Sequence, residues 1–151
     1  MKPRLVPYKY HAIEPMLRLE ESVAANGIET RLAELVKIRA SQINSCAYCL
    51  DMHNREAREK GESEQRLYLL AGWRESPLYT DRERAALAWT ETLTLVAQTH
   101  APDEEYEALK RHFSEEEIVK LTMLIVTING WNRICVGFRA IHAVEGDRAA
   151  A

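Results

Sequence analysis

Apolar residues recur every three or four positions along nearly the whole chain, the period of a helix that turns one face to a core. Long period-two alternation is missing, and so is an Asn-Gly turn between two β-rich runs. The pattern predicts an all-α protein. After an irregular start, a first helix runs from about Glu14 to Asn26 and stops at Gly27. Thr30 caps a second, which reaches about Gln42. Asn44 or Ser45 caps a third, which carries Cys46 onward and ends at Gly61. A short fourth holds Leu67, Leu70 and Ala71, and "SPLY" (Ser76 to Tyr79) breaks it.

Two capping boxes punctuate the second half. "TDRE" (Thr80 to Glu83) and "SEEE" (Ser114 to Glu117) each let a hydroxyl and a carboxylate satisfy one another's orphan amides. The first opens a helix to about Thr99, and "APDEEYEALKRHF" supplies a short one after Pro102. The second opens the segment Ile118–Ile128, where Lys120 is the only charge, so most of its circumference should be buried. "NGWNRICVGFRAIH" then continues as a last helix. A faint echo links "ELVKI" (Glu34–Ile38) to "EIVKL" (Glu117–Leu121), and at the same offset Asn129 and Asn132 stand where Cys46 and Cys49 stand.

Length and charge narrow the function classes. The 151 residues suit a single domain, 1–151, with a core of its own. The formal charge of −3 comes with no Lys/Arg cluster, which argues against a nucleic-acid partner. The N-terminus has no apolar h-region of a secretory signal. The most apolar run carries Lys120 and is too short to span a bilayer, so no membrane association is expected. Three cysteines do not make a disulfide framework, and a reducing cytoplasm is the default compartment.

The chemistry concentrates in "SQINSCAYCLDMHNREAREKG", Ser41 to Gly61. Two thiols three residues apart can close a disulfide, hold a metal or fill a core. On a helix, Cys46, Cys49, Leu50, His53 and Ala57 form one stripe, while Asp51, Arg55, Arg58 and Glu59 form the solvated side. The helix starts at or beside Cys46, where unpaired amides and the helix dipole favour a thiolate. His53, one turn after Cys49, is its natural base. If helices two and three form a hairpin about Asn44, Glu34 comes level with Asn54, next to His53. The helical wheel points the other way. Leu32, Val36 and Ile43 mark the apolar stripe of helix two, and Glu34 projects from nearly the opposite side, as a solvated residue would.

Glu34, Cys46–Ala47–Tyr48–Cys49 and His53, within "ELVKIRASQINSCAYCLDMHNREAREKG", closely resemble the core motif of the AhpD-like alkyl hydroperoxidases, part of the wider carboxymuconolactone decarboxylase family. "SPLYTDRERAALAWTETLT" and "INGWNRICVGF" are similar to that family as well. The resemblance implies a multi-helical AhpD-like bundle with the CxxC at the N-terminus of a central helix, assembled as homo-trimers or homo-hexamers. It also implies thiol-dependent peroxide reduction or disulfide exchange, with no metal and no organic cofactor. By that analogy Cys49 attacks a small organic peroxide or hydrogen peroxide, Cys46 resolves the sulfenic acid, and His53 and Glu34 relay protons. A thiol or dithiol donor, not identified by the sequence, would return the electrons. One departure stands out: the best-studied hydroperoxidases carry His immediately before the second Cys, where this chain has Tyr48. A phenol with pKa near ~10 is a poor substitute in proton transfer.

Three other readings compete. As a metal site, Cys46, Cys49 and His53 supply three ligands where zinc normally wants four, and Cys135, His142 and His11 are distant in sequence. A carboxymuconolactone decarboxylase-like lyase generally does not need paired thiols. A non-catalytic oligomeric module would need neither. A thioredoxin-like fold is excluded by the missing βαβ pattern. Cys135 reads as a small core residue. Trp73, Trp89 and Trp131 read as core or subunit-interface anchors, and His100 and His112 as helix-end residues. His11 and His142 have no identifiable partner. Asn129 and Asn132 either approach the thiols or cap a helix.

Overall fold

The computed structural model describes residues 1–144. Among them are eight α-helices and no strand: α1 (Glu14–Ala24), α2 (Thr30–Ile43), α3 (Ala47–Glu59), α4 (Glu64–Leu69), α5 (Asp81–Thr94), α6 (Val96–Thr99), α7 (Asp103–Lys110) and α8 (Glu115–Phe138). The all-α expectation holds. Short 3-10 turns at Pro7–Lys9 and His11–Ile13 lead into α1, and another at Leu70–Glu75 follows α4.

Local signals placed most boundaries. Both capping boxes are formed: the Thr80 and Ser114 hydroxyls accept from the Glu83 and Glu117 amides, and those glutamates accept from the cap amides in return. Gly61, at φ +89°, ends α3 in the left-handed region, where a missing Cβ removes the steric cost. Other boundaries moved. Glu29, not Thr30, is the N-cap position of α2. The helix opened by Thr80 stops at Leu95 before the short α6. The segments Ile118–Ile128 and Asn129 onward are one continuous helix that ends at Phe138, because Arg139 turns left-handed at φ 55°.

The turn between α2 and α3 sets up the site. Neither Asn44 nor Ser45 caps α3; Cys46 does, its sulfur accepting from the Cys49 amide at 3.4 Å. Ser45 is the left-handed residue closing α2 (φ 55°). The Ser45 amide donates to Gln42 O and the Cys46 amide to Ser41 O, the bond pattern of a Schellman motif. One residue thus ends the first motif and begins the next helix.

Helix α2 is the centre of the bundle, packed against α3, α5 and α8. Leu32, Glu34, Leu35, Val36, Ile38, Ala40 and Ser41 are all buried. One apolar cluster joins Val36, Trp89, Phe113, Leu121 and Ile125, and a second joins Leu35, Ile38, Leu70, Trp73 and Leu87. Helix α8 has the length and apolarity to cross a bilayer by those measures alone; here it packs on α1, α2 and α5. Its circumference is less covered than its composition suggested. Val119 (62 % exposed), Met123 and Val126 leave an apolar stripe open along one side of the chain.

Asn129 and Asn132 are buried in mid-helix and do a structural job. The Asn44 side-chain amide donates to both of their carbonyl oxygens at 2.9 Å, and Asn132 donates to Ser41 Oγ at 3.0 Å. These bonds tie the α2–α3 turn to α8. The echo between the two "E(L/I)VK" segments does not extend to their glutamates: Glu34 is buried, whereas Glu117 closes a capping box and pairs with Arg82.

Candidate thiol site

Cys46 and Cys49 are joined by a disulfide, with their Cα atoms 5.4 Å apart. Both are 1 % exposed. Their position follows from the turn just described: Cys46 caps α3, and Cys49 completes its first turn on the same face. Helix amides and dipole therefore point at the sulfurs.

His53 lies one turn further on, 5 % exposed. Its Nδ1 donates to Glu56 Oε2 at 3.1 Å and lies 3.2 Å from Glu34 Oε2. With Nδ1 facing carboxylates, Nε2 is the nitrogen left for proton transfer. Glu34 is 2 % exposed, so the hairpin register placed it correctly and the wheel did not. The wheel assumes one buried face, and α2 has neighbours on several.

A buried carboxylate needs cations, and Glu34 has them. Lys60 Nζ donates to its Oε1 at 2.8 Å, and Lys37 Nζ lies 3.7 Å from the same oxygen. The Oε2 atom has no hydrogen bond of its own and faces the imidazole. Burial alone would raise the Glu34 pKa; the contacts with His53, Lys60 and Lys37 outweigh it and bring it down to about 2. Burial would likewise lower His53, but Glu34 and Glu56 more than offset this and hold the imidazole above its ordinary value. The pair is an ion pair built into the bundle.

Cys49 and His53 open on a cavity of about 350 Å³. Its walls include Leu17, Met52, Tyr48, Tyr8 and Trp131, with Lys37 and Lys60 as cations. Trp131 is therefore a wall of the site, stacked on Tyr8 with centroids 6.3 Å apart and anchored by its indole N–H to Glu20 at 2.9 Å. Trp73 and Trp89 are buried as expected. Tyr48, in the place of the family's histidine, also faces this cavity.

Sequence reasoning missed three features. Glu56 and Lys60 stand three and seven residues after His53, on the same helical stripe, and that spacing could have found them. Cys135 is the third. It is buried, as expected, but it packs on Cys46 and Cys49. Burial pushes its thiol pKa up. His11 has a partner after all, Glu14 at 2.5 Å, far out on the surface. His142 is exposed, and His100 ends α6 in a left-handed turn.

A fold and a site of this kind define a known class. The model of the carboxymuconolactone decarboxylase family, a family of enzymes, matches residues 12–92. The chain belongs to that family, and its likeness is to the AhpD-like members. It is 40 % identical over 147 residues to the uncharacterised protein YdfG of Bacillus subtilis, covering 94 % of this chain and 95 % of YdfG. A crystal structure of an Agrobacterium tumefaciens protein of unknown function, provisionally an AhpD antioxidant defence protein, superposes with a TM-score of 0.93 at 50 % identity. It covers 95 % of this chain and all of that one. An uncharacterised peroxidase-related protein from Silicibacter shares the fold at 21 % identity, with a TM-score of 0.76 over 88 % of this chain and 71 % of the other.

Proposed function

We propose that the protein is a thiol-dependent reductase of organic hydroperoxides that cycles the Cys46–Cys49 pair. The observation that carries this reading is a bridged pair whose Cys49 opens on a cavity beside a carboxylate-held imidazole. In the reduced form, the His53 cation holds Cys49 as the thiolate. The thiolate attacks the terminal peroxide oxygen, the O–O bond breaks, and an alcohol leaves with a proton from His53. Cys49 is then a sulfenic acid. Cys46 displaces its hydroxyl as water and restores the bridge. A thiol or dithiol donor returns two electrons and two protons. The same steps without peroxide make a disulfide oxidoreductase.

Apolar and aromatic walls favour an organic peroxide over hydrogen peroxide, which would gain nothing from them. A lyase acting on a lactone acid, the other reading of family membership, has no use for the paired sulfurs. The cycle suits a reducing cytoplasm, where donor thiols are abundant. The open apolar stripe of α8 supports assembly into a homo-trimer or homo-hexamer. The test is a thiol count before and after one equivalent of an organic hydroperoxide, with mass mapping. Two thiols should disappear into a Cys46–Cys49 peptide as one alcohol forms. Both thiols surviving conditions that oxidise a control dithiol would end this reading.

A further inference from the structure

The proposed cycle leaves one thiol of the cavity unused. Cys135 comes from α8, 86 residues beyond Cys49 in sequence, yet the sulfurs of Cys46, Cys49 and Cys135 all lie within 4.8 Å of one another. Cys135 lines the main cavity together with Cys49, and also a second one of about 160 Å³ walled by Val6, Tyr48 and Phe138. Cys135 borders both cavities, and Cys49 the larger one.

The composition of the cluster selects its ligand. It holds three sulfurs and no carboxylate or imidazole; Glu34, His53 and Glu56 gather separately. Zinc closes its structural sites with four ligands. Soft thiolates without hard donors favour soft ions, and trivalent arsenic is satisfied by three sulfurs. We propose that, once the Cys46–Cys49 bridge is reduced, Cys46, Cys49 and Cys135 form a three-thiolate site for a soft, thiophilic ion of the trivalent-arsenic kind.

The chemistry balances. A dithiol donor gives two electrons and two protons to open the bridge. Arsenous acid then exchanges three As–O bonds for three As–S bonds, and each thiol proton leaves with a hydroxyl as water. Arsenic stays trivalent. Coordination also deprotonates Cys135, which burial otherwise keeps as a thiol. The inference rests on the bridge being reducible, as the proposed function requires.

Arsenite and phenylarsine oxide separate two sulfurs from three, because the phenyl compound can form only two As–S bonds. The full chain is reduced with a phosphine, its thiols are counted in denaturant, and each arsenical is titrated. One arsenite per chain should bind and protect all three cysteines from alkylation. Cys135→Ala should weaken arsenite at least tenfold while leaving phenylarsine oxide within twofold. Mass mapping of Cys135 alkylation in the unsubstituted chain decides the matter even if the variant misfolds. Three thiols on reduction, with Cys135 alkylated equally fast with and without arsenite, would overturn this inference and leave the redox reading standing. A single countable thiol after reduction would overturn both.

Discussion

Glu34 Oε2 lies 3.2 Å from His53 Nδ1, across the hairpin of α2 and α3. Each group charges the other, and both are buried. Their titration is therefore a property of the fold and of the thiol beside it.

Stability should follow this pair at both ends of the pH range. Glu34 is held at about 2, against an ordinary value of 4.5. Its contribution is complete above the ordinary value and is lost as pH falls toward 2. His53 is raised, so its contribution is complete below its ordinary value and is lost as pH rises through the folded one. Urea midpoints of the protein and of Glu34→Gln should differ most between those limits and converge as pH falls below 4. Parallel curves down to pH 3 would mean that Glu34 is not the group responsible.

Thiol reactivity offers a separate reading of the same pair. Without the Glu34 charge, His53 is a weaker cation and supports the Cys49 thiolate less. In the reduced protein, Glu34→Gln should raise the apparent Cys49 pKa by about one unit, roughly tenfold less thiolate at neutral pH. His53→Ala should do at least as much. The double variant should cost less than the sum, because residues that act through one another are not additive. An alkylation profile unchanged in Glu34→Gln would remove the glutamate from the relay.

Cys135 should be the slow thiol. Burial raises its pKa, whereas the cap of α3 favours thiolates at the other two sites. In the reduced protein, alkylation followed by mass mapping should place Cys135 at least tenfold behind Cys49. The reverse order would mean that its surroundings are wetter than its 7 % exposure indicates.

The turn that carries the thiols should depend on Asn44. Asn44→Ala removes an amide that serves two buried carbonyl acceptors: Asn132 Oδ1 loses its donor, while Asn129 Oδ1 keeps its bond from Arg133. One unsatisfied buried acceptor costs ~1–3 kcal/mol. A loss of about 2 kcal/mol by urea denaturation is expected. A change under 0.5 kcal/mol would show that water replaces the amide.

Assembly can be tested on α8. Sedimentation at micromolar concentration should give a trimer or hexamer. Val126→Glu, on the open stripe, should shift it toward the monomer while leaving the helical circular dichroism intact. A monomer before any substitution would assign the stripe another role.

The features legible in the sequence were local ones. Capping boxes, the CxxC spacing and the His one turn later depend on neighbours within four residues, and their geometry followed. The burial of Glu34 was not legible from its own helix, because a wheel cannot see that α3, α5 and α8 surround α2. Hairpin register saw it, being a statement about two helices. Cys135 escaped for the same reason in stronger form: nothing within α8 says that its sulfur meets two others from the far side of the bundle. Trp131 looked like a core residue because apolar neighbours surround it in sequence, and only packing makes it a cavity wall.

Cys46 holds two offices, cap of a helix and half of a redox couple, and the two cannot be changed independently. Adding electrons replaces a bridged sulfur with a thiol or thiolate in front of the same Cys49 amide. The first turn of α3 is thereby held with a different strength. Linkage then works in reverse. A partner that tightens or loosens that turn on docking also biases the sulfurs between their two states, so a reducing protein could select its moment of electron transfer by how it grips the backbone.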